Sequence, residues 1–231
     1  MLIRLQSFLS QRGVASRRGA AEKVLEGRAR VNGEIVLEPG FRVDEAADVV
    51  ELDGAVVASA APCHVTVMLN KPAGYVCSLD RSQGRSVCDL VADAGTRLLP
   101  VGRLDKDSEG LLLLSNDGGL IQKLTHPRHG HTKTYRVQVQ GAINSAVLKS
   151  LRSPIAIDGA ETRPADVERV GFDELRFTLG EGRNRQIRRL CERAGLRVER
   201  LTRVAVNTLR LPGDLPVGRW RALTPAELES L

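Results

Sequence analysis

The chain has 231 residues, of which 42% are hydrophobic and 27% charged, a composition that excludes collagen-like, disordered and membrane-bundle proteins. Its longest purely apolar run, Leu111–Leu114, is far shorter than the roughly 20 residues of a membrane span, and no apolar stretch of signal-peptide length follows Met1. The formal net charge of +6 favours a polyanionic partner, and we expect a cytoplasmic protein.

Charge is distributed unevenly along the chain. Residues 1–33 hold seven basic and two acidic residues, and residues 180–203 hold eight arginines and three glutamates. Between them, residues 43–54 hold five acidic and no basic residues, whereas residues 120–140 hold four basic residues, three histidines and no acid. Basic clusters separated by an acidic stretch indicate separate contact surfaces for a polyanion, although each cluster alone would equally suit a solvated helix face.

The first 53 residues predict a small module of two helices and a hairpin. The first helix has apolar residues at i, i+3 and i+7, namely Leu2, Leu5 and Leu9. Ser16 is expected to cap a second helix that runs to Gly27. Asn32-Gly33 between short apolar flanks predicts a hairpin turn. Residues 54–62 are uncharged and mostly small, which predicts a strand end followed by a linker.

From residue 63 onward, predicted strands outnumber predicted helices. Apolar runs and period-2 alternation predict strands at 64–69, 98–101, 111–114, 134–140 and 174–179. Helices are expected at 117–125, 144–151 and 184–195. Because strands and helices do not alternate strictly, the pattern favours an α+β domain with a mixed sheet over a doubly wound one.

The helix at 184–195 has the clearest pattern. It has apolar residues on one face, Ile187, Leu190, Cys191 and Ala194, and arginines on the other. Asn184 is the expected N-cap and Gly195 the expected C-terminal cap. The glycine-rich loop 180–183 precedes the helix, an arrangement that suits phosphate but is common in proteins.

Neither the cysteines nor the histidines predict a metal site. The four cysteines, Cys63, Cys77, Cys88 and Cys191, form no C-x-x-C pair. His126, His129 and His131 fall within six residues, but Pro127 and Gly130 interrupt them and no carboxylate or thiolate joins them. We interpret this segment as a loop that touches phosphates, and we expect no cofactor.

Three segments could carry chemistry. Lys71 lies at the end of a strand that leads into a Pro/Gly turn, and Lys133 and Tyr135 begin another strand. Asp105 lies in a loop between two apolar strands, where functional residues are often held by a rigid scaffold. On spacing alone, the simpler interpretation of Asp105 is a carboxylate that caps a turn. Tyr135 could be a core aromatic, but the chain has only seven aromatic residues and Tyr135 lies beside a run of basic residues, which argues against that interpretation.

Together these segments resemble the motifs of RNA pseudouridine synthases of the RsuA/RluB/RluE/RluF family. The similar segments are Asn70–Pro72 with Gly74, Gly102–Asp105 followed by Gly110–Gly118, Lys133-x-Tyr135, and Glu181–Arg189. Near the N-terminus, Arg4-Leu5, Gly13, Ser16–Arg18, Gly27 and Val31–Gly33 resemble an S4-type RNA-binding domain. The resemblance covers about residues 1–50 and 64–225. It implies an S4-like domain at 1–53, a linker at 54–62 and a catalytic domain at 63–231, whose mainly antiparallel sheet is flanked by helices.

The resemblance implies that Asp105 is the catalytic carboxylate that isomerises uridine to pseudouridine in ribosomal RNA. It places Tyr135 against the ring of a flipped-out uridine. Arg188, which matches the last arginine of the family's own motif, would keep the Asp105 carboxylate ionised. The expected RNA contacts are Arg103, Lys71, Lys133, Arg183 and Arg185 in the catalytic domain, and Arg4, Arg17, Arg18 and Arg28 in the S4-like domain. For Lys71 and Lys133, a structural contact is the alternative to a phosphate contact. Such contacts position the RNA more than they read its sequence.

The expected partner is ribosomal RNA, free or in an assembly intermediate. We expect the protein to be a monomer that does not bind a membrane. The stretch from Leu69 to Ser78 favours the small-subunit 16S RNA, whereas Gly182–Gln186 is as similar to enzymes of the large-subunit 23S RNA. One alternative is a non-catalytic RNA-binding or ribosome-assembly protein, against which the presence of Asp105 argues. A DNA-binding regulator is another, but it leaves residues 64–225 unexplained.

Overall fold

The computed structural model describes residues 2–58, 63–126 and 130–231. They fall into two compact units, Met1–His64 and Val65–Leu231. Within the described residues, no helix is long and apolar enough to cross a membrane. Helices and a mixed sheet together give the α+β class that the sequence predicts.

The N-terminal unit packs two helices on short strands around Phe8 and its apolar neighbours. Its elements are β1 (Leu2–Arg4), α1 (Leu5–Gln11), α2 (Arg17–Leu25), β2 (Ala29–Val31), β3 (Glu34–Ile35), β4 (Arg42–Asp44), β5 (Val50–Leu52) and β6 (Ala55–Val56). Strands β3, β2, β5 and β6 form one antiparallel sheet, and β1 pairs with β4.

Local signals in this unit predict its elements well where they involve caps and turns. The Ser16 side chain accepts a hydrogen bond from Gly19 N and caps α2, as expected. Asn32 and Gly33 both adopt positive φ, which a two-residue hairpin between β2 and β3 requires. The placement of Leu2 in the first helix is wrong, because Leu2–Arg4 instead pairs with a strand forty residues away.

The second unit is built on one large sheet. Its strands are β7 (Thr66–Lys71), β8 (Leu99–Pro100), β9 (Glu109–Ser115), β10 (Lys133–Gln140), β11 (Ala156–Ile157), β12 (Ala160–Glu161), β13 (Asp166–Arg169), β14 (Glu174–Leu179), β15 (Arg197–Val206), β16 (Leu209–Arg210) and β17 (Trp220–Ala222). Its helices are α3 (Gly118–Thr125), α4 (Ser145–Arg152), α5 (Gln186–Arg193) and α6 (Pro225–Glu229), with 3-10 turns at Arg81–Gln83 and Val87–Val91.

The sheet has the strand order β13-β14-β10-β15-β9-β7-β17, with β16 paired to β15 and β8 to β9. All of these pairs are antiparallel except β9 with β15, which is parallel, so the predicted mixed and mainly antiparallel sheet is confirmed. At that parallel junction a Cβ on Gly110 would overlap the main-chain oxygen of Arg203. Glycine at this position therefore allows the backbones of β9 and β15 to approach each other closely.

Apolar side chains cover both faces of β7 and β9, which explains why Leu111–Leu114 lacks alternation. Helices α4 and α5 pack on the other half of the sheet, over β10, β13, β14 and β15. There the alternation predicted for residues 134–140 is confirmed, because Val137 and Val139 are buried while Arg136, Gln138 and Gln140 are exposed. The strongly packed strands thus hold the loops at their ends in defined positions.

Candidate active site

Asp105 lies in the loop that joins β8 to β9. Its side chain is 34% exposed, and Arg185 Nη1 lies 3.9 Å from its Oδ2. The loop is closed on itself, since Ser108 N donates to the main-chain oxygen of Asp105 over 3.1 Å. The carboxylate is therefore accessible from outside and faces a positive charge, while its backbone is held.

Lys71, at the end of β7, binds the main chain of the loop that carries Asp105. Its side chain is fully buried, and its Nζ donates to the main-chain oxygens of Ser108 at 2.6 Å, Asp105 at 3.1 Å, Pro72 at 3.1 Å and Lys106 at 3.4 Å. Burial lowers the pKa of Lys71, and the charges of Cys77, Asp107, Glu109 and Asp105 oppose that shift. A side chain without exposed surface cannot touch RNA, so of the two contacts expected for Lys71 the phosphate contact is wrong and the structural contact agrees with the structure.

Asp107 joins the same loop to α5. Its carboxylate accepts two hydrogen bonds of 3.1 Å from Arg185 and lies 3.2 Å from Arg188 Nη2, which also donates to the Asp107 main-chain oxygen. Partial burial would raise the pKa of Asp107, but the hydrogen bonds from Arg185 and the charges of Arg188 and Arg185 lower it overall.

The expected pairing of Arg188 with Asp105 is therefore corrected. Arg188 binds Asp107, and the cation recorded within 4 Å of the Asp105 carboxylate is Arg185. Arg188 Nε is buried without a hydrogen-bond partner among the described residues, as is Ser108 Oγ. Arg185 therefore contacts both carboxylates, whereas Arg188 contacts that of Asp107.

The start of α5 also differs from the sequence prediction. The N-cap is Arg185 in a left-handed conformation, with φ of 50°, and not Asn184, whose side chain instead accepts a hydrogen bond from Arg189. Gln186 is buried and holds the preceding loop by accepting from Arg183 N and donating to Glu181. A left-handed conformation is uncommon for arginine. Here it occurs at the residue that precedes α5, and the side chain of that residue binds Asp107.

A pocket of about 370 Å³ is lined by parts of two loops, Gly102 and Arg103 before β9 and Gly180–Arg183 before α5, and Asp105 is not among its lining residues. Tyr135 on β10 and Arg203 on β15 line it from directly paired positions of neighbouring strands. Leu113, Leu124 and Val206 give it an apolar floor. Its remaining lining is Val101, Gly102, Arg103, Thr125, His126, His131, Lys133, Gly180, Glu181, Gly182 and Arg183. The volume is in the range of pockets that hold small organic ligands.

Three predicted basic residues meet at this pocket. Arg103 is exposed and makes no ion pair or side-chain hydrogen bond within the described residues. Lys133 is half-buried and donates to the main-chain oxygen of His131 over 2.7 Å. Arg183 is more constrained, since it donates to the main-chain oxygens of Ile157 and Glu161 and lies 3.5 Å from the Glu181 carboxylate.

Arg203 lines the pocket and was missed by the sequence analysis. The only signal for it was its place among the eight arginines of residues 180–203. The histidine segment is described in part, because His129 lies outside the described residues. His131 is engaged at both ring nitrogens, 2.9 Å from Lys123 O and 2.9 Å from Asn207 Nδ2.

In the N-terminal unit, the predicted RNA-binding arginines differ from one another. Arg4, Arg17 and Arg18 are exposed and have no ion pair within the part of the chain that the structure describes. Arg28 instead binds Asp53 through two hydrogen bonds of 2.6 and 2.8 Å, and also binds Glu26. The sequence analysis missed Arg42, which lies directly opposite Arg4 across β1 and β4. Like charges in such a pair repel each other, a cost that a bound anion would relieve.

Comparison with known proteins defines the class. A family model described as RNA pseudouridylate synthase matches residues 65–193, and an S4 domain model matches residues 3–50. Because the first model spans more than half of the chain, the chain belongs to the RNA pseudouridylate synthases, which are RNA-modifying isomerases.

Individual relatives agree over almost the whole chain. The ribosomal large subunit pseudouridine synthase B of Bacillus subtilis is 38% identical over 99% of this chain and 95% of its own length. The dual-specificity RNA pseudouridine synthase RluF of Escherichia coli is 34% identical over 99% of this chain and 78% of its own. A crystal structure of a pseudouridylate synthase matches with a TM-score of 0.70 and 28% identity, covering 99% of both chains. These relatives support membership of the RsuA/RluB/RluF family.

Proposed function

We propose that this protein isomerises specific uridines of ribosomal RNA to pseudouridine, with Asp105 as the catalytic carboxylate. The observation that carries the proposal is the position of Asp105, a partly exposed carboxylate on a loop fixed by buried Lys71. Gly102 and Arg103 of the same loop line a pocket together with Tyr135. Family membership supports the reaction type, and the names of the relatives support an RNA substrate.

The reaction exchanges one bond of the nucleotide for another. The bond between N1 of uracil and C1′ of ribose breaks, the base rotates, and a bond from C5 to C1′ forms, while the proton on C5 is lost and N1 gains one. The exchange leaves no change in oxidation state. A carboxylate beside the sugar can assist the departure of the base or accept the proton, and in this proposal Asp105 is that carboxylate.

Two arginines support that carboxylate in different ways. Arg185 faces Asp105 directly, with its Nη1 at 3.9 Å from the carboxylate Oδ2. Arg188 acts through Asp107, which it binds together with Arg185. In this proposal Arg188 is a positioning residue, because it holds the Asp107 side of the loop against α5.

The target uridine must leave the RNA stack to reach the site. Tyr135 and the apolar floor of the pocket offer surfaces on which a flipped base can stack. Arg103, exposed at the edge of the same pocket, would hold the displaced nucleotide. In the N-terminal unit, Arg4, Arg17 and Arg18 would bind phosphates of flanking RNA.

The RNA subunit is the finer part of the proposal. The preference for 16S RNA over 23S RNA stays a prediction, and the relatives named above are a large-subunit enzyme and a dual-specificity enzyme. We propose that the protein acts as a monomer in the cytoplasm, on free ribosomal RNA or an assembly intermediate.

The test is to map pseudouridines in both ribosomal RNAs from strains with and without the gene. Loss of one or a few defined pseudouridines, restored by purified protein acting on the unmodified RNA, supports the function and identifies the subunit. Identical maps, together with RNA binding by the purified protein, would instead favour a non-catalytic RNA-binding or assembly protein.

A further inference from the structure

Arg203 is a buried cation in the wall of the pocket. It is 5% exposed, and its Nε donates to the main-chain oxygen of Leu111 over 2.7 Å. This single hydrogen bond fixes the side chain beside β9, while the residue contributes to the pocket lining. Buried charges are normally paired, so an arginine buried at a pocket wall needs a counter-charge.

That counter-charge is not supplied by the described part of the chain. No carboxylate of the described residues forms an ion pair with Arg203, with Lys133 or with Arg103, all of which line the same pocket. Lys133 is close enough to Arg203 that the arginine charge adds to burial in lowering the lysine pKa. The wall therefore concentrates positive charge without neutralising it.

The acidic residue of the pocket lining, Glu181, does not change this conclusion. Its carboxylate accepts hydrogen bonds from Arg163 N at 2.7 Å and Gln186 Nε2 at 3.0 Å, and it lies 3.5 Å from Arg183 Nε. Glu181 is thus engaged by the loop and α5, and Arg183 balances its charge. Arg203, Lys133 and Arg103 remain as an excess of three positive charges.

The pocket combines this cationic wall with an apolar floor. Leu113, Leu124 and Val206 can contact a flat base, whereas Arg203 and Lys133 offer hydrogen-bond donors to an anion. A nucleotide has both parts, a flat base and an anionic phosphate. Arginine and lysine are the usual protein partners of phosphate oxygens.

We propose that Arg203 and Lys133 form a phosphate subsite that binds one phosphodiester next to the target uridine. The subsite deepens the proposed function and rests on it. It anchors the flipped nucleotide by its backbone, so that the base meets Tyr135 in a fixed position. It also supplies the counter-charge that Arg203 lacks in the described structure.

The experiment uses an oligoribonucleotide that contains the uridine this protein modifies. Each phosphodiester flanking the uridine is replaced in turn by an uncharged methylphosphonate, with a 2′-deoxy sugar on its 5′ side in all substrates to prevent strand cleavage. Dissociation constants are measured for the wild type, Lys133→Met, Arg203→Met and the control Arg210→Met. Arg210 is exposed on β16 of the same sheet and does not line the pocket.

At one linkage, the uncharged phosphate should weaken binding to the wild type and to Arg210→Met by roughly tenfold or more, the effect of a charge-assisted hydrogen bond. The same replacement should cost Lys133→Met and Arg203→Met less than about threefold, because their phosphate contact is already weakened. Lys133→Met retains the hydrogen bond between Arg203 and Leu111. It therefore tests the phosphate contact even where Arg203→Met folds poorly.

Equal losses in all four proteins at every linkage would overturn the subsite. The proposed function has its own readout in the same material, because pseudouridine formation by the wild type is measured on the unmodified oligoribonucleotide. A wild type that makes pseudouridine but shows equal losses disproves only the phosphate subsite.

Discussion

The arginines of the two units are held in contrasting ways. In the N-terminal unit, Arg4, Arg17 and Arg18 extend from the surface without ion pairs within the described residues. In the second unit, Arg185 and Arg188 are both tied to Asp107, and their positions relative to Asp105 are fixed. Both sets contribute to the positive charge of the chain, but the first set is exposed and the second is held by a carboxylate.

The difference shows what each site requires from a positive charge. Phosphate contacts that supply affinity tolerate flexible side chains, since the attraction is non-directional and depends on salt. A charge beside a reacting carboxylate must stay within a fraction of an ångström, because small displacements lower reaction rates strongly. Removing the fixed contacts should therefore reduce turnover, whereas removing the exposed charges should reduce affinity.

The largest effect on stability is expected for Lys71→Met. Replacing the buried ammonium leaves the four main-chain oxygens that it binds without their donor, at a cost of about 1–3 kcal/mol for each oxygen that stays unsatisfied. We expect the second unit to lose about 3 kcal/mol of stability and the enzyme to lose most of its activity. Trp220, the one tryptophan of the chain, lies in that unit, so its fluorescence in a urea titration reports the change.

Lys106→Met is the matched control, because Lys106 is an exposed lysine of the same loop. Its replacement should change stability by less than about 0.5 kcal/mol. Equal urea midpoints for Lys71→Met and the wild type would show that the buried lysine does not hold the loop.

The next largest effect is expected for Asp107→Asn. This change keeps the size of the side chain but weakens its bonds to Arg185 and Arg188, so turnover should fall by an amount on the order of 10²-fold. Because Asp107 is not among the residues that line the pocket, KM should change little. Steady-state kinetics on a defined RNA separate the two parameters, and Asp158→Asn, beside Arg189, serves as the control.

The pKa of Asp107 sets the pH range of this contact. Its pKa in the folded protein lies below the usual value, so its stabilising contribution is present above that usual value and is lost as pH falls through the lowered pKa. The Asp107 contacts therefore stay charged at neutral pH, and Asp107→Asn should lower activity by the same factor between pH 6 and 9. A loss confined to one end of that range would contradict this assignment.

Local sequence signals identified those parts of the fold that depend on neighbours in the chain. Ser16, the Asn32-Gly33 turn and the apolar face of α5 are examples, since caps, turns and helix faces are set within a few residues. Strand β1 was missed because its partner, Arg42–Asp44, is remote in sequence. Pairing over such distances has no local signature.

The candidate site was predicted in part for the same reason. Motifs selected Asp105 and Tyr135 as candidates, and these stay predictions. The partner of Arg188 was predicted wrongly, because spacing cannot tell Asp105 from Asp107 in one loop. Strand β15 was missed altogether. Three of its first four residues are charged, and its buried Arg203 breaks the apolar pattern by which a central strand is recognised.

The smallest effects are expected from the N-terminal arginines. Arg17→Met should weaken RNA binding a few-fold and reduce the slope of log K against log salt by about one, as for a lost phosphate contact. Arg28→Met should leave the slope nearly unchanged, because Arg28 is already bound to Asp53 and Glu26. Titrations between 50 and 200 mM KCl compare the two variants. Over this range, added salt lowers the affinity of a protein with about six to ten phosphate contacts by about 10³-fold or more.

Equal changes in slope for the two variants would show that ion pairing on this surface does not decide which arginines bind RNA. The exposed Arg4 and Arg42 pair would then need to be replaced together to locate the contact.

The central claim is that Asp105 performs the chemistry while its neighbour Asp107 positions it. Single-turnover formation of pseudouridine, measured with enzyme in excess over RNA for the wild type, Asp105→Asn and Asp107→Asn, tests it most directly. We predict that Asp105→Asn binds the RNA with wild-type affinity but forms no pseudouridine, and that Asp107→Asn forms it slowly. Wild-type turnover by Asp105→Asn, or abolished turnover by Asp107→Asn alone, would contradict the claim.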